Sequence, residues 1–471
     1  METSESNRSG KEGDRKFFVH WGWWVGALCL LLLLFALLPR QKGSERIAPG
    51  ATSDAPTRAA NSATEETRSL RPSRARAGQS LSAEEIVAAK VIQFAQNRRA
   101  LLYAMAKHYK VTVSPEIEAF FNAVEKGQWD ELNERFKALM KLKRSDNPPP
   151  ELGTLWGPIL ETLGVAESAH DWPAQRLLDY GNSILDSLRP GMVYVGGTDP
   201  GRFIPTLLNE TTDGERHIVL TQNGLADGTY LEYLRYLYGD QMATLTSEES
   251  QKAFQNYIED AQKRLAHDQQ FPDEPKQIRP GEDIRIENER VQVSGQIAVM
   301  GINELLLQMI MDKNPDSAFA LEESFPLHST YTNASPLGPI MELRVHDDQN
   351  ALTADTARQT LDYWQASTQQ ILSGTTTDTP EGLNVLKTYS KMAATQGNLF
   401  AERNLNAEAE QAYKLGMQIY PDNPEATYGL AKLWGQEGRV EEAKQLVQAF
   451  QKAHPQQAKD PVWTATFRYQ Q

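Results

Sequence analysis

The sequence predicts a chain of the α/β class in four parts: one N-terminal transmembrane helix, a helical hairpin region, a central, mostly parallel α/β sheet layer, and C-terminal helical repeats. Three observations predict it. Residues 191–240, GMVYVGGTDPGRFIPTLLNETTDGERHIVLTQNGLADGTYLEYLRYLYGD, read as strand, Gly-rich loop, helix, strand, loop, helix. Residues 17–38 are 22 residues without a charge. Near the C-terminus, similar residues recur at an offset of 34.

Composition bounds the function. A chain of 471 residues with 40% hydrophobic content buries a sizeable core and has room for several structural units. The net charge of −14 is unevenly shared: residues 1–80 carry 12 basic against 8 acidic side chains, which leaves an acidic body. Such a body, with no basic stripe, argues against a nucleic-acid partner. The single cysteine, Cys29, excludes an intrachain disulfide and a cysteine metal cluster.

From the N-terminus, residues 1–16 form a polar tail. The run 17–38, FFVHWGWWVGALCLLLLLFALL, at about 1.5 Å per residue spans a hydrocarbon core of about 30 Å. Trp21, Trp23 and Trp24 gather at its start, where amphipathic rings favour the membrane interface. The run is longer than a signal-peptide core and ends Leu-Leu-Pro-Arg, without a small-residue cleavage site, so an uncleaved anchor in the lipid bilayer is expected. Arg8, Lys11, Arg15 and Lys16 before it, against Arg40, Lys42 and Arg46 after it, place the N-terminus slightly in favour of the cytoplasm. Residues 39–80 lack Phe, Trp and Tyr and are rich in Ala, Ser, Thr, Pro and Arg, a linker with a reach of about 35 Å.

A helical region over 81–173 follows. Ser82 and Glu85 make a capping box before the pattern Ile86, Phe94, Leu101, Leu102 and Met105. Ser114-Pro115-Glu116 starts a second helix, and two amphipathic segments joined at Gly127 make a hairpin with Phe120, Phe121, Val124, Trp129, Leu132, Phe136 and Leu139 inward; at helical spacing these aromatics are core. Pro148–Pro150 end it, and Trp156, Trp172 and Pro173 punctuate the passage beyond. The α/β domain is placed over 174–346. It takes helix 174–188, strands 192–195 and 217–221, a helix over 246–267 starting at Ser247, a polar surface excursion over 271–290, a helix over 296–311, a buried strand at 317–321 and a last, antiparallel strand at 340–345. Residues 347–380 supply a connecting helix, centred on 353–372.

In the tail, 381–471, Gly397 matches Ala431, Phe400 matches Trp434, Ala409 matches Ala443, Tyr413 matches Val447 and Pro421 matches Pro455. Small residues where two helices touch, at a period of 34 with Pro after the second, are the tetratricopeptide pattern. Two repeats are fewer than usually stand alone, so they are expected to dock on the α/β core or on helix 353–372 and to offer a surface to a protein partner.

The candidate site is the rim at the carboxyl ends of the parallel strands, where open α/β sheets bind ligands. Its candidates are Gly196, Gly197, Asp199, Arg202, Asn223 and Asp227. The loop GGTDPGRF reads either as an anion cradle of backbone amides beside Arg202 or as a tight turn with Asp199 capping the helix. Asp227 likewise caps the helix at Thr229, or joins Asp199 and Asn223 in a polar cluster able to bind a metal or act as acid and base. Glu322-Glu323-Ser324 follows a strand end and either adds carboxylates to this rim or is solvated. The phosphate-loop Lys-Ser/Thr, the dinucleotide G-x-G-x-x-G, H-E-x-x-H, G-x-S-x-G and C-x-x-C are all missing, and His170, His217, His328 and His346 are scattered. No cofactor and no resident metal are implied.

The strings VYVGGTDPGRFIPTLL, HIVLTQNGLADGTYL, DKNPDSAFALEESFPL and LDYW resemble the soluble C-terminal portion of a bacterial membrane-protein family of unknown function. Its polytopic members are distantly related to protein O-mannosyltransferases and often end in tetratricopeptide repeats. The resemblance covers residues 81–455, but this chain has one span where those members have a dozen, so no glycosyl transfer is implied. What the resemblance implies is placement, a soluble body outside the cytoplasmic membrane; with the one span at 17–38, a single-pass protein of the bacterial inner membrane with a periplasmic body is expected. Function is then read as a membrane-tethered protein-interaction or scaffold protein of the cell envelope; the other reading is an enzyme or carbohydrate/anion-binding domain at the strand-end rim.

Overall fold

The computed structural model describes residues 81–279, 281–287, 290–325, 331–344 and 352–457. The apolar span 17–38, the linker 39–80, Cys29, His328 and His346 lie outside the described residues. No described helix is long and apolar enough to cross a membrane. The described chain is mostly helical, with one small mixed sheet, where the sequence predicts a mostly parallel one.

Helix α1 (Ala83–Tyr109) starts at the expected capping box: Ser82 Oγ accepts from Glu85 N at 3.2 Å, and Ser82 N donates to Glu85 Oε2 at 2.8 Å. Helices α2 (Pro115–Glu125) and α3 (Trp129–Lys143) form the hairpin, turning at Gly127 with φ +65°, a left-handed conformation that suits glycine. Ser114 precedes α2 with Pro115 in its first turn but makes no side-chain cap. Phe120, Phe121, Leu132, Phe136 and Leu139 are buried as expected, and Trp129 is half-buried, stacked on His170 at 4.1 Å.

The passage after the hairpin is helical, as expected of the region 81–173: α4 (Pro150–Thr154) and α5 (Trp156–Asp171). Its glycines hide the helix bounds, because they serve packing. A Cβ on Gly164 would lie 2.2 Å from the Phe203 ring, and one on Gly157 would lie 2.6 Å from the Tyr233 ring. Helix α6 (Ala174–Leu185) leads into β1 (Val193–Gly196), then come α7 (Asp199–Glu210) and β2 (Ile218–Thr221). After a single 3₁₀ turn at Gln222–Gly224 come α8 (Gly228–Tyr238) and α9 (Ser247–Gln270). The cap of α9 is Thr246, one residue before the expected start, in a capping box with Glu249.

The polar excursion contains an antiparallel hairpin, β3 (Asp283–Glu287) with β4 (Arg290–Ser294), separate from the main sheet. Buried Glu282 anchors it by accepting from Arg264, from Tyr257 Oη at 2.8 Å and from Arg279 N at 3.1 Å. Then follow α10 (Gln296–Lys313), β5 (Phe319–Glu322), β6 (Ala334–Leu337) and β7 (Ile340–Leu343). The sheet order is β2-β1-β5-β7-β6; β2, β1 and β5 are parallel, and the β6–β7 hairpin closes one edge antiparallel. Strand β6, in the sequence Ala-Ser-Pro-Leu, is an addition to the expected set.

Helix α11 (Ala354–Gly374) precedes four repeat helices: α12 (Pro380–Glu402), α13 (Asn406–Ile419), α14 (Pro424–Gln436) and α15 (Val440–Ala453). Small residues sit at their crossings. A Cβ on Gly397 would meet the Tyr413 ring at 2.6 Å, and Ala431 and Ala443 are buried. The repeats dock on the α/β core as expected: Gln396 Nε2 donates to Ile340 O of β7 at 3.2 Å, Arg403 donates to Thr332 O, and Tyr389 meets Tyr180 of α6 edge to face at 5.4 Å. One hydrophobic core runs from Val87 and Phe94 through Tyr194, Phe319 and Leu343 to Phe400 and Leu433.

Candidate functional site

Strand register brings the rim together. Gly196 lies opposite Thr221 of β2 and Glu322 of β5, so the parallel strands end at one level. The loop Gly197–Thr198 and the first turn of α7 then sit directly over Glu322. Gly197 N and Thr198 N donate to Glu322 Oε2 at 3.0 and 2.8 Å, and Thr198 Oγ1 donates to Glu322 Oε1 at 2.8 Å. The amides that the sequence offers to an anion are thus filled by a carboxylate of the chain itself. Glu322 is 2% exposed; burial raises its pKa, opposed by hydrogen bonds from Thr198 and Gly197 and by the Lys391 charge.

The glycines are explained by this internal anion. A Cβ on Gly201 would stand 1.9 Å from Glu322 Oε2, and one on Gly197 would stand 2.2 Å from Ser324 N. The cap of α7 is Thr198, whose Oγ1 accepts from Gly201 N at 3.0 Å; Asp199 occupies the first helical position instead. There Asp199 Oδ1 accepts from Arg202 Nη2 at 2.8 Å.

On the neighbouring loop, Asn223 Nδ2 donates to Gly197 O at 3.0 Å and to Ser324 Oγ at 3.1 Å, tying the three strand ends to one another. Gln222, fully buried, accepts from Ser324 N at 2.9 Å. Asp227 Oδ1 accepts from Thr229 N at 2.8 Å, the cap of α8. Its charge acts on Lys143, whose ammonium lies 4.4 Å from the Trp156 ring and is driven by burial down to about 8 against the pull of Asp227. Asp199 and Asp227 therefore turn to different partners. Among the described residues no group of three or more His, Cys, Asp or Glu is placed to hold a metal ion.

Glu323, the next residue, is also buried, and Tyr331 Oη donates to it at 2.8 Å. Beyond it lies the repeat junction, where Lys391 Nζ of α12 pairs with Glu425 Oε2 of α14 at 2.7 Å and Asn398 Nδ2 donates to Glu425 Oε1 at 2.7 Å. The pair Glu322-Glu323 is solvated in neither position.

Outside the rim, Asp199 and Arg202 line a cavity of about 280 Å³ between α5, α7 and the start of α12. Its other walls include Glu167, Asp171 and Trp172 from α5 and its end, Phe203 from α7, and Asn384, Lys387 and Thr388 from α12. Burial, then the charges of Asp199 and Asp171, push the Glu167 carboxyl up to about 8, while Arg202 pulls it down. The Arg202 guanidinium stacks on the Phe203 ring at 4.2 Å, and that ring rests on Gly164. Sequence spacing does not announce this cavity, since its walls come from elements more than 200 residues apart. A larger apolar groove of about 570 Å³ runs between α1, the α2–α3 hairpin and α5, with Trp129, Trp172 and Ile92 in its lining.

The chain matches the family model of the tetratricopeptide repeat over residues 400–462. No curated protein and no solved structure matches it. The match falls on α13 to α15, so the C-terminal helices are a tetratricopeptide repeat, a module that generally mediates protein–protein interaction.

Proposed function

We propose that the protein is a membrane-tethered scaffold of the bacterial cell envelope, anchored by residues 17–38, with its body outside the cytoplasmic membrane and its second repeat presented to a protein partner. The observation that carries this is how the repeats are used. The first repeat helix, α12, buries Met392, Ala393, Leu399 and Phe400 in the core it shares with the sheet, and its Gln396 bonds to β7, so it is engaged in docking. The second repeat keeps a free face: Glu441, Glu442, Gln445 and Gln448 on α15 are exposed, and Val440 is 43% exposed. The uncharged run 17–38, the weak basic excess before it and the resemblance of residues 81–455 to the soluble tail of envelope membrane proteins support the tether and the orientation.

The test is site-specific photo-crosslinking in intact cells. A crosslinker at Gln445 or Gln448 is expected to give a discrete protein adduct, and one at exposed Arg135 on α3 to give none. Equal, diffuse labelling at all three positions would sink the scaffold reading. A cysteine introduced into the body is expected to react with a membrane-impermeant thiol reagent added outside the inner membrane; protection until lysis would refute the orientation.

A further inference from the structure

We infer that the cavity between α5, α7 and the start of α12 is a binding site for a small organic carboxylate with an apolar tail. The inference goes beyond the scaffold reading and does not depend on it. Its first support is an unsatisfied cation. Arg202 is 6% exposed, and the one hydrogen bond its guanidinium makes to a described residue goes to Asp199. Its Nε is buried and has no acceptor among the described residues. Buried guanidinium N–H groups are rarely left unmatched, because the lost hydration is not recovered. The residue is also held in place by its stacking on Phe203. A carboxylate arriving in the cavity adds an acceptor for the guanidinium that lines it.

The remaining walls select the acceptor. Lys387 and Asn384 on α12 bring further donors to the cavity, while Leu160, Leu163 and Trp172 make an apolar side. A planar carboxylate suits a guanidinium fork and carries one charge. A phosphate dianion would meet the repulsion of Asp171 and Asp199 in the same space. Glu167 sharpens the choice: mostly protonated at neutral pH, it is a donor to a carboxylate there, and it becomes a repelling charge above about pH 8. The groups acting on it are Asp171 on its own helix and Asp199 and Arg202 on α7, with Lys387 lining the same cavity from α12. The volume of about 280 Å³ accommodates a ring or short chain beside the carboxylate.

The experiment uses the full-length protein purified in micelles, with benzoate and acetate as probes, and inorganic phosphate and glucose as comparisons. Binding is read by saturation-transfer NMR and calorimetry. Benzoate is expected to bind at pH 7, more tightly than acetate, and phosphate and glucose not to displace it. Because benzoate keeps its charge across this range, its affinity is expected to fall about tenfold between pH 7 and pH 9 as Glu167 ionises. Glu167→Gln should bind equally at both pH values, and Arg202→Gln should not bind at either while keeping the wild-type circular dichroism. Should Arg202→Gln fail to fold, the pH profile of Glu167→Gln against wild type decides alone. The proposal is overturned by no benzoate binding at pH 7, by binding that survives in folded Arg202→Gln, by a pH profile unchanged in Glu167→Gln, or by preference for phosphate or glucose.

Discussion

Single residues at the rim are set by the internal anion. Gly201→Ala would drive a methyl group into the Glu322 carboxylate, since a Cβ there stands 1.9 Å from Oε2. We expect a loss of about 1–3 kcal/mol, the usual cost of overpacking. Gly228→Ala, at the start of α8 with nothing within 4 Å of its Cβ, should be neutral or stabilising by up to about 1 kcal/mol. Urea denaturation of the two variants separates them, and equal losses would mean that the Gly201 contact is not tight. Glu167 supplies a second prediction. Its folded pKa of about 8 lies above the ordinary carboxyl value of about 4.3. The folded state therefore holds its proton longer than the unfolded chain does, and stability contributed by the neutral form is lost as pH rises from about 4.3 to 8. Glu167→Gln keeps the neutral shape, so the variant should gain on wild type between pH 5 and pH 8.5. A stability difference that does not change with pH would contradict the shift.

At the scale of elements, the junction of α12 with α14 contains a largely buried ion pair. Glu425 is 5% exposed and held by Lys391 and Asn398. Lys391→Met strands that carboxylate and should cost about 3 kcal/mol, whereas the double variant Lys391→Met/Glu425→Leu should recover most of the loss. A double-mutant cycle measures the difference, and additive losses would show that the pair is not coupled. The same scale shows what was legible in the sequence. Strands β1 and β5 announce themselves because they are buried and mostly apolar, and edge strand β2 because Ile218, Val219 and Leu220 form an apolar run rich in β-branched residues; β3 and β4 do not, because DIRIE and RVQVS alternate with polar residues and lie outside the main sheet. Strand β6 holds Ser335 and Pro336, which read as a turn until pairing with β7 is known. Helix α5 lies in the region read as helical, but its bounds were not legible, because the purpose of Gly157 and Gly164, contact with Tyr233 and Phe203, exists only in the folded chain. The rim loops were legible as loops at strand ends. That Glu322 fills their amides was not, since it depends on a β1–β5 register spanning more than 120 residues.

At the scale of the whole molecule, the repeats and the sheet are one cooperative body with a loose end. Tetratricopeptide repeats gain stability from their neighbours, and here the neighbour on one side is the sheet. The core that contains Tyr194 and Phe319 also contains Val385, Phe400, Tyr413 and Leu433. By contrast, Ala443, Val447 and Phe450 of α15 belong with Tyr428 and Ala431 to a second, small cluster, edged by Trp434 and Leu446. Opening α15 therefore exposes little apolar surface, whereas releasing α12 uncovers β6, β7 and the docking contacts of Gln396 and Tyr389. Native-state hydrogen exchange should show amides of α12 and β1 exchanging only by global unfolding, with the same denaturant dependence. Amides of α15 should exchange through a smaller opening at lower free energy. A partner seated on α15 would order that end and slow its exchange selectively, leaving β1 and α12 to follow the global stability. Exchange of α12 ahead of β1 would show instead that the repeats are a separate unit and that the shared core does not couple them.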